Sequence, residues 1–274
     1  MNYADLHLHT NFSDGAYSPE ELVKKAKDTG LVAISVVDHD TVLGVKSAME
    51  AGRAQGVEVI PGIELTAEEE SQEVHILGYF IDHTNQDLLK RLVILKDNRV
   101  ERIYKICDKL KELGVPLEPD SVFKLAENGT VGRLHIARAL VSGGFIRNTY
   151  EAFQKYIGDR GPAYVLGFRF GTRDAIKLIK EAGGIPVLAH PCTMHKDEFI
   201  PRFVEYGLMG LEVYYPEHSQ SMVNFYEEMA KTLGLLVTGG SDCHGDAKEE
   251  IKIGLIKLPY EFVEKLKAAR KAVL

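Results

Sequence analysis

The first ten residues limit what this chain can fold into more than any other stretch. Ala4-Asp5-Leu6-His7-Leu8-His9-Thr10 alternates apolar and polar side chains. A strand's period of two sends Asp5, His7 and His9 to one face and Ala4, Leu6 and Leu8 to the other. Imidazoles on the inner face of a buried strand must be hydrogen-bonded or metal-bound, because an unpaired buried polar ring costs about 1–3 kcal/mol. Taken alone, such a pair serves equally well as a metal site or as two satisfied core histidines. The remainder of the chain shifts that balance.

Ser18-Pro19-Glu20-Glu21 offers an N-cap, a proline at the first helical position and a capping-box glutamate for a helix that stops near Gly30. The apolar run Leu31 to Val37 then reads as a strand ending in Asp38-His39-Asp40, followed by a helix ending near Gly56. Val57 to Ile60 leads to Pro61-Gly62-Ile63-Glu64, and Val74 to Phe80 supplies a fourth strand with His75 near its start. From Asn85 to Tyr164 the pattern turns helical, with Leu88, Leu92, Leu95, Ile103, Ile106 and Leu110 at helical spacing, then shorter helices at Ser121 to Glu127, Leu134 to Ser142 and Thr149 to Ile157. Strand and helix alternate again afterwards: helix Arg173 to Ala182, strand Ile185 to Ala189, helix near Glu198 to Tyr206, strand Gly210 to Tyr214, helix Gln220 to Leu233 and strand Leu235 to Thr238. A C-terminal helix follows, with an extra strand at Ile253 to Leu258 as an option. Sequential strand–helix units predict an α/β fold around a parallel sheet. Ligand-type residues at the ends of many strands favour a barrel, whose mouth collects them, over an open sheet with one switch point. The organisation expected is therefore a barrel in two parts, residues 1–84 and 165–274, with a helical insertion at 85–164 as a substrate cap.

At 45% hydrophobic and 27% charged residues the chain is neither disordered nor membrane-spanning in composition. It enters the His-rich strand at once, without a signal peptide, and its three cysteines lack paired spacing, so a cytoplasmic protein is expected. A net charge of −7 argues against an extended duplex nucleic acid as partner. A small phosphorylated substrate fits better, because bound cations reverse the local field. Oligomeric state is not legible.

His7, His9, Asp14, His39, Glu64, His75, His190, Asp242 and His244 all fall at or near strand ends. Nine nitrogen and oxygen donors are too many for one ion and suit two or three divalent cations, Mn, Fe or Zn. Cys243 reads as a small packing residue. Asp5, Asp38 and Asp40 are expected to orient imidazoles. His83 and His195 read as surface residues, Arg99 and Arg102 as solvated charges on the long helix, and Tyr164 as a residue bordering the pocket.

The ordered pieces DLHLHTNFSDG, SVVDHDT, PGIE, EVHILGY, AHP and GGSDCHG resemble the polymerase and histidinol phosphatase (PHP) family of metal-dependent phosphoesterases. The resemblance implies a distorted (β/α)7 barrel with up to three metals in its mouth. On it, His7, His9, Glu64 and Asp242 hold the first metal, Glu64 bridges to a second completed by His75 and His190, and Asp14, His39 and His244 hold the third. Many relatives carry a histidine where Asp14 stands here. GRLHIA at 132–137 and EVYYPEHS at 212–219 are similar to the branch of nucleoside 3',5'-bisphosphate phosphatases and short-RNA 5'-to-3' exoribonucleases. That likeness implies that Arg133, His135 and His218 grip phosphate, a protonated histidine adding a charged donor. The chemistry expected is in-line attack on phosphorus by a hydroxide shared between cations at Glu64, with Asp242 essential and His218, His135 or a metal-bound water as the general acid. Histidinol phosphate phosphatase and a non-catalytic binding module are the alternatives. GRLH speaks mildly against the first and the complete donor set against the second.

Overall fold

The structure is a computed structural model that describes residues 2–126, 129–167, 170–247 and 251–273. Eight strands form one sheet in the order β7-β6-β5-β4-β3-β2-β1-β8. They are β1 (Tyr3–Leu8), β2 (Ala33–Val36), β3 (Glu58–Glu69), β4 (Gln72–Tyr79), β5 (Ile185–Leu188), β6 (Gly210–Tyr214), β7 (Leu236–Gly239) and β8 (Leu258–Pro259). The sheet curls into a nearly closed barrel: beyond β7 the chain returns to β1, where the His9 N–H donates to Cys243 O at 3.1 Å and Leu8 bridges Cys243. The eighth strand is shorter and later than the option at Ile253 to Leu258, and runs antiparallel to β1.

Strand direction departs from the all-parallel expectation. β1, β2 and β3 are parallel, as are β5, β6 and β7, but β4 is antiparallel to both of its neighbours. The cause is local: β3 continues through Pro61-Gly62 to Glu69, and a tight turn with Glu70 and Ser71 at positive φ folds it straight back into β4, leaving no room for a crossover helix. The alternation expected of β1 also fails. Its pairing with β2 shifts register between Asp5 and Leu8. Leu6 accordingly shares a core cluster with Leu77, Tyr79 and Val187, whereas Leu8 shares one with Leu22 and Val23.

Helices cover the barrel. α1 (Pro19–Asp28) starts at Ser18 with the full reciprocal capping box to Glu21. α2 (Val45–Gln55) ends on Gly56 in the left-handed conformation, φ 76°. Between β4 and α7 (Thr172–Glu181) lie α3 (Gln86–Glu112), α4 (Pro119–Phe123), α5 (Arg133–Ser142) and α6 (Thr149–Ala152), with no strand among the described residues there. A 3₁₀ turn, Lys124–Ala126, follows α4, and the expected helical end at Glu127 lies outside the described residues. Ile103, Ile106 and Leu110 of α3 pack with Leu134, Ile136 and Leu140 of α5 in an apolar cluster of their own. α8 (Ile200–Tyr206), α9 (Gln220–Leu233) and α10 (Glu261–Val273) complete the shell. Val263 and Leu266 of α10 join Ala4, Leu6 and Tyr79 in the core. Among the described residues no helix is long and apolar enough to cross a membrane.

Candidate metal centre and substrate cavity

The nine donor residues reach one place from six strands. His7 lies on β1 and His9 just past it, Asp14 in the loop beyond, His39 after β2, Glu64 in β3, His75 on β4, His190 after β5, and Asp242 and His244 after β7. Glu64 is fixed from both sides of its backbone: its N–H donates to Asp38 O at 3.2 Å and its carbonyl accepts from Asp40 N–H at 2.9 Å. Its side chain is wholly buried and its two oxygens serve different neighbours. Oε2 lies 3.2 Å from His7 Nε2, 3.3 Å from His9 Nε2 and 3.2 Å from His39 Nδ1. Oε1 lies 2.9 Å from His75 Nδ1 and 3.1 Å from His190 Nε2. Asp242 Oδ1 faces His9 Nε2 at 3.1 Å and His7 Nε2 at 3.4 Å, while Asp14 Oδ1 faces His244 Nε2 at 3.1 Å.

These atoms fall into overlapping groups of metal-ligand size: His9, Asp14, His39 and His244; His7, Glu64 and His190; His7, His9 and Asp242; His39, Glu64 and His75. The grouping shares members more widely than the resemblance implies, with His9 beside the Asp14 group and His39 also beside Glu64 and His75. The residues fit divalent cations on a direct observation. His39 Nδ1, His75 Nδ1 and Asp14 Oδ1 are buried within 3.2 Å of a counter-charge, yet none has hydrogen-bond geometry, and His9 Nδ1 is buried without a partner. Buried polar atoms left unpaired within groups of ligand-type side chains are what bound cations would satisfy. Without a cation the buried charges balance one another. Burial alone would raise the Glu64 carboxyl, but His39, His7 and His75 carry it well below the usual carboxylate range. Burial would lower His75, but Glu64 and Glu73 push it up to about 10. His39, by contrast, is held well below its ordinary value by burial.

Backbone strain collects here. Asp40, His190 and Asp242 take positive φ (50°, 24° and 53°) although none is glycine. Gly240 is required by close approach: a Cβ there would meet His7 N at 2.3 Å.

The residues that orient the imidazoles are not those expected. Asp5 accepts from the Ser241 hydroxyl and N–H and from Gly254 N–H, and burial raises its carboxyl to about 6. Asp38 accepts from Thr10 and Ser13, and Asp40 from Thr66 N–H and Arg99 Nε. All three tie loops together instead of touching rings. The carboxylates that hold imidazoles from behind are Glu212 and Glu73, neither of which stands beside a histidine in sequence. Glu212 lies 2.9 Å from His7 Nδ1 and accepts from His190 N–H at 2.8 Å. Glu73 lies 3.1 Å from His75 Nε2. Each was visible in principle, Glu212 as an acid inside an apolar strand and Glu73 as a neighbour two residues from His75 on the same strand face.

Arg99 and Arg102 are likewise not solvated; both are 6% exposed. Arg99 binds Asp40 Oδ2 and Thr66 Oγ1, each at 2.6 Å, and Arg102 binds Glu73 Oε2 at 2.7 Å. His195 is exposed, His83 is half-buried, and Cys243 is buried in an apolar cluster. Above the donor set opens a cavity of about 820 Å³, whose rim includes Arg133, Arg138, Arg147, Tyr150, Phe153 and Tyr215. Arg133 is already engaged, with Glu73 Oε1 at 2.9 Å and Asp159 Oδ1 at 2.5 Å. The Tyr164 ring lies against the Arg102 and Arg133 guanidiniums, at 5.5 and 5.4 Å, and is not part of that lining.

His135 is buried at the first turn of α5, where its Nδ1 accepts from Gly132 N–H at 3.1 Å and burial lowers its pKa to about 4. It is therefore neutral at pH 7, not the charged donor expected, and carries its proton on Nε2. His218 donates through Nδ1 to Val213 O at 2.8 Å, and burial lowers its pKa too. Its buried Nε2 has no hydrogen-bond partner and offers a lone pair rather than a proton.

Comparison with known proteins matches residues 5–131 to the PHP domain. A 5'-3' exoribonuclease of Haemophilus influenzae is 34% identical over 88% of this chain and 89% of its own length. A phosphoribosyl 1,2-cyclic phosphate 1,2-diphosphodiesterase of Eggerthella lenta is 32% identical over 88% and 94%. A 3',5'-nucleoside bisphosphate phosphatase of Chromobacterium violaceum is 29% identical over 93% and 91%. Among solved structures, a Bifidobacterium adolescentis protein described as a metal-dependent phosphoesterase superposes with a TM-score of 0.89 at 31% identity, covering 97% of this chain and 96% of the other. With the barrel, its converging donors and these relatives in agreement, the chain belongs to the PHP family and is a metal-dependent phosphoric ester hydrolase.

Proposed function

We propose that this chain removes the 3'-phosphate of nucleoside 3',5'-bisphosphates, cleaves nucleotides from the 5' ends of short RNA, or does both. The observation that carries the reading is Glu64, whose two carboxylate oxygens each face a separate set of imidazoles beneath an arginine-rimmed cavity of about 820 Å³. That is the arrangement a carboxylate needs to span two cations. His7, His9, Asp14, His39, Glu64, His75, His190, Asp242 and His244 would hold two or three of them, and the all-nitrogen-and-oxygen set suits Mn, with Fe or Zn also accommodated. Divalent cations bound there lower the pKa of water and take up charge on phosphoryl oxygens.

The chain's own side chains supply the rest. The Tyr215 hydroxyl donates to Asp242 Oδ2 at 3.3 Å and steadies that carboxylate. Arg133 grips phosphate by exchanging Asp159, the more exposed of its two acids, for the substrate anion. Arg138 and Arg147 face the same cavity, Arg147 with its backbone N–H donating to Glu151 Oε2 at 2.8 Å, so a second anionic group is accommodated there. His135 donates one hydrogen bond through Nε2, and His218 accepts one. Tyr150 and Phe153 on the rim offer faces for a base. The relatives are named for substrates that share ribose and phosphate, which agrees with such a cavity.

The test is phosphate release by manganese-loaded protein from adenosine 3',5'-bisphosphate, alongside 5'-AMP, a short 5'-phosphorylated RNA, a ribose 1,2-cyclic phosphate and histidinol phosphate. Loss of the 3'-phosphate with 5'-AMP left intact, or release of mononucleotides from the RNA, is the expected outcome. Turnover confined to the cyclic ester or to histidinol phosphate overturns the reading. Glu64→Ala and Asp242→Ala are expected to lose at least about 10²–10³-fold in kcat with unchanged circular dichroism. Near-normal turnover in either variant removes them from the chemistry.

A further inference from the structure

Glu73 joins the metal centre to the wall of the substrate cavity. It lies on β4 two residues before His75 and is almost fully buried, its side chain 9% exposed. Oε1 is 3.1 Å from His75 Nε2 and 2.9 Å from an Arg133 terminal nitrogen, while Oε2 is 2.7 Å from an Arg102 terminal nitrogen. A carboxylate only accepts, so Nε2 carries a proton toward Glu73, and Nδ1, 2.9 Å from Glu64 Oε1 without hydrogen-bond geometry, is the nitrogen left to face a cation. Arg133, the other end of the contact, lines the substrate cavity.

We propose that Glu73 is a positioning residue shared by the metal centre and the substrate cavity: one carboxylate fixes the His75 ring toward Glu64 and holds Arg133 at the cavity wall. The metal half rests on the geometry of His75 alone. The substrate half rests on the reading of a phosphorylated substrate given above. Both halves follow from the chemistry of the contact. An imidazole whose far nitrogen donates to a carboxylate is a more basic ligand and is locked in one ring orientation, and loss of such a partner typically weakens metal binding by about 10–100-fold. Arg133 without Glu73 keeps Asp159, whose side chain is 49% exposed, and the Ile157 carbonyl at 3.2 Å, but loses its buried counter-charge, so the cavity loses a preorganised cation.

Two variants separate the halves. Glu73→Gln keeps the shape but removes the charge, and Asp159→Asn removes the other acid on Arg133 without touching His75. Titration calorimetry with Mn²⁺ alone is expected to show binding about 10–100-fold weaker in Glu73→Gln and unchanged in Asp159→Asn. With adenosine 3',5'-bisphosphate, KM is expected to rise in Glu73→Gln, and kcat to return to within a few-fold of wild type at saturating Mn²⁺. Wild-type Mn²⁺ affinity in Glu73→Gln overturns the metal half, and an unchanged KM overturns the substrate half. Should Gln leave Arg102 and Arg133 too poorly compensated to fold, Glu73→Asp preserves the charge and shortens the reach to His75. That variant is expected to bind Mn²⁺ at least about ten-fold more weakly, and wild-type affinity there is equally decisive against the proposal. A wild-type protein that binds Mn²⁺ but leaves the bisphosphate and RNA intact refutes the substrate reading while the calorimetry still decides the role of Glu73 at His75.

Discussion

His135 is neutral at pH 7 because it is buried and its Nδ1 is committed to Gly132 N–H, and that has a consequence for stability. Its pKa is about 4 in the folded protein against 6.5 ordinarily, so between those values the unfolded chain binds a proton that the native protein refuses. The native state therefore loses stability as pH falls from 6.5 toward 4, by about 3 kcal/mol from this residue. His135→Asn keeps an acceptor for Gly132 N–H and has nothing to titrate. Denaturant midpoints measured from pH 7 to 4 are expected to fall less steeply in the variant than in the wild type, and parallel curves would refute the assignment. The sequence shows which types of side chain are available at this scale but not who holds whom. Arg99 and Arg102 continue the buried stripe of Leu95 and Ile106 at helical spacing, yet a cation on such a stripe reads as solvated until Asp40 and Glu73, far away in sequence, are seen beneath it. Asp5, Asp38 and Asp40 flank histidines in sequence and bind backbone in space.

At the scale of elements, patterns that depend on neighbouring residues were legible. The Ser18–Glu21 capping box, the strands ending in histidine and the helices between β4 and α7 can all be read from spacing of a few residues. Direction was not. A strand's alternation looks the same read either way, so the reversal of β4 is visible only through the turn at Glu70-Ser71 that joins it to β3. Close packing between elements was equally hidden, and Gly240 shows what it demands. A methyl group there would meet His7 N at 2.3 Å, so Gly240→Ala must push the segment after β7 away from β1. Destabilisation of at least about 1–3 kcal/mol is expected, measured by denaturant unfolding, together with weaker Mn²⁺ binding. A variant as stable as wild type, with unchanged Mn²⁺ affinity, would show that the two segments have room to part.

For the whole molecule, the convergence of donors from six strands means that a cation held by them would bind the closed barrel and not the unfolded chain. Mn²⁺ at about 100 times its Kd is expected to add about 2.7 kcal/mol, raising Tm by on the order of 5 °C, and a chelator is expected to reverse the shift. A Tm indifferent to metal would mean that the donors do not bind cations as a set. The same convergence orders events in time during synthesis. Residues Glu64 and His75 sit on two strands of one hairpin, so their side of the centre can form as soon as that hairpin leaves the ribosome. His9 must instead wait for Asp242, its contact 233 residues later. At ordinary elongation rates that delay is roughly 10–50 s, during which the histidines of the first strand stand without their last carboxylate. A nascent chain has half a metal centre early and the whole of it only once the segment carrying Asp242 and His244 emerges, so cation capture would mark the closing of the barrel.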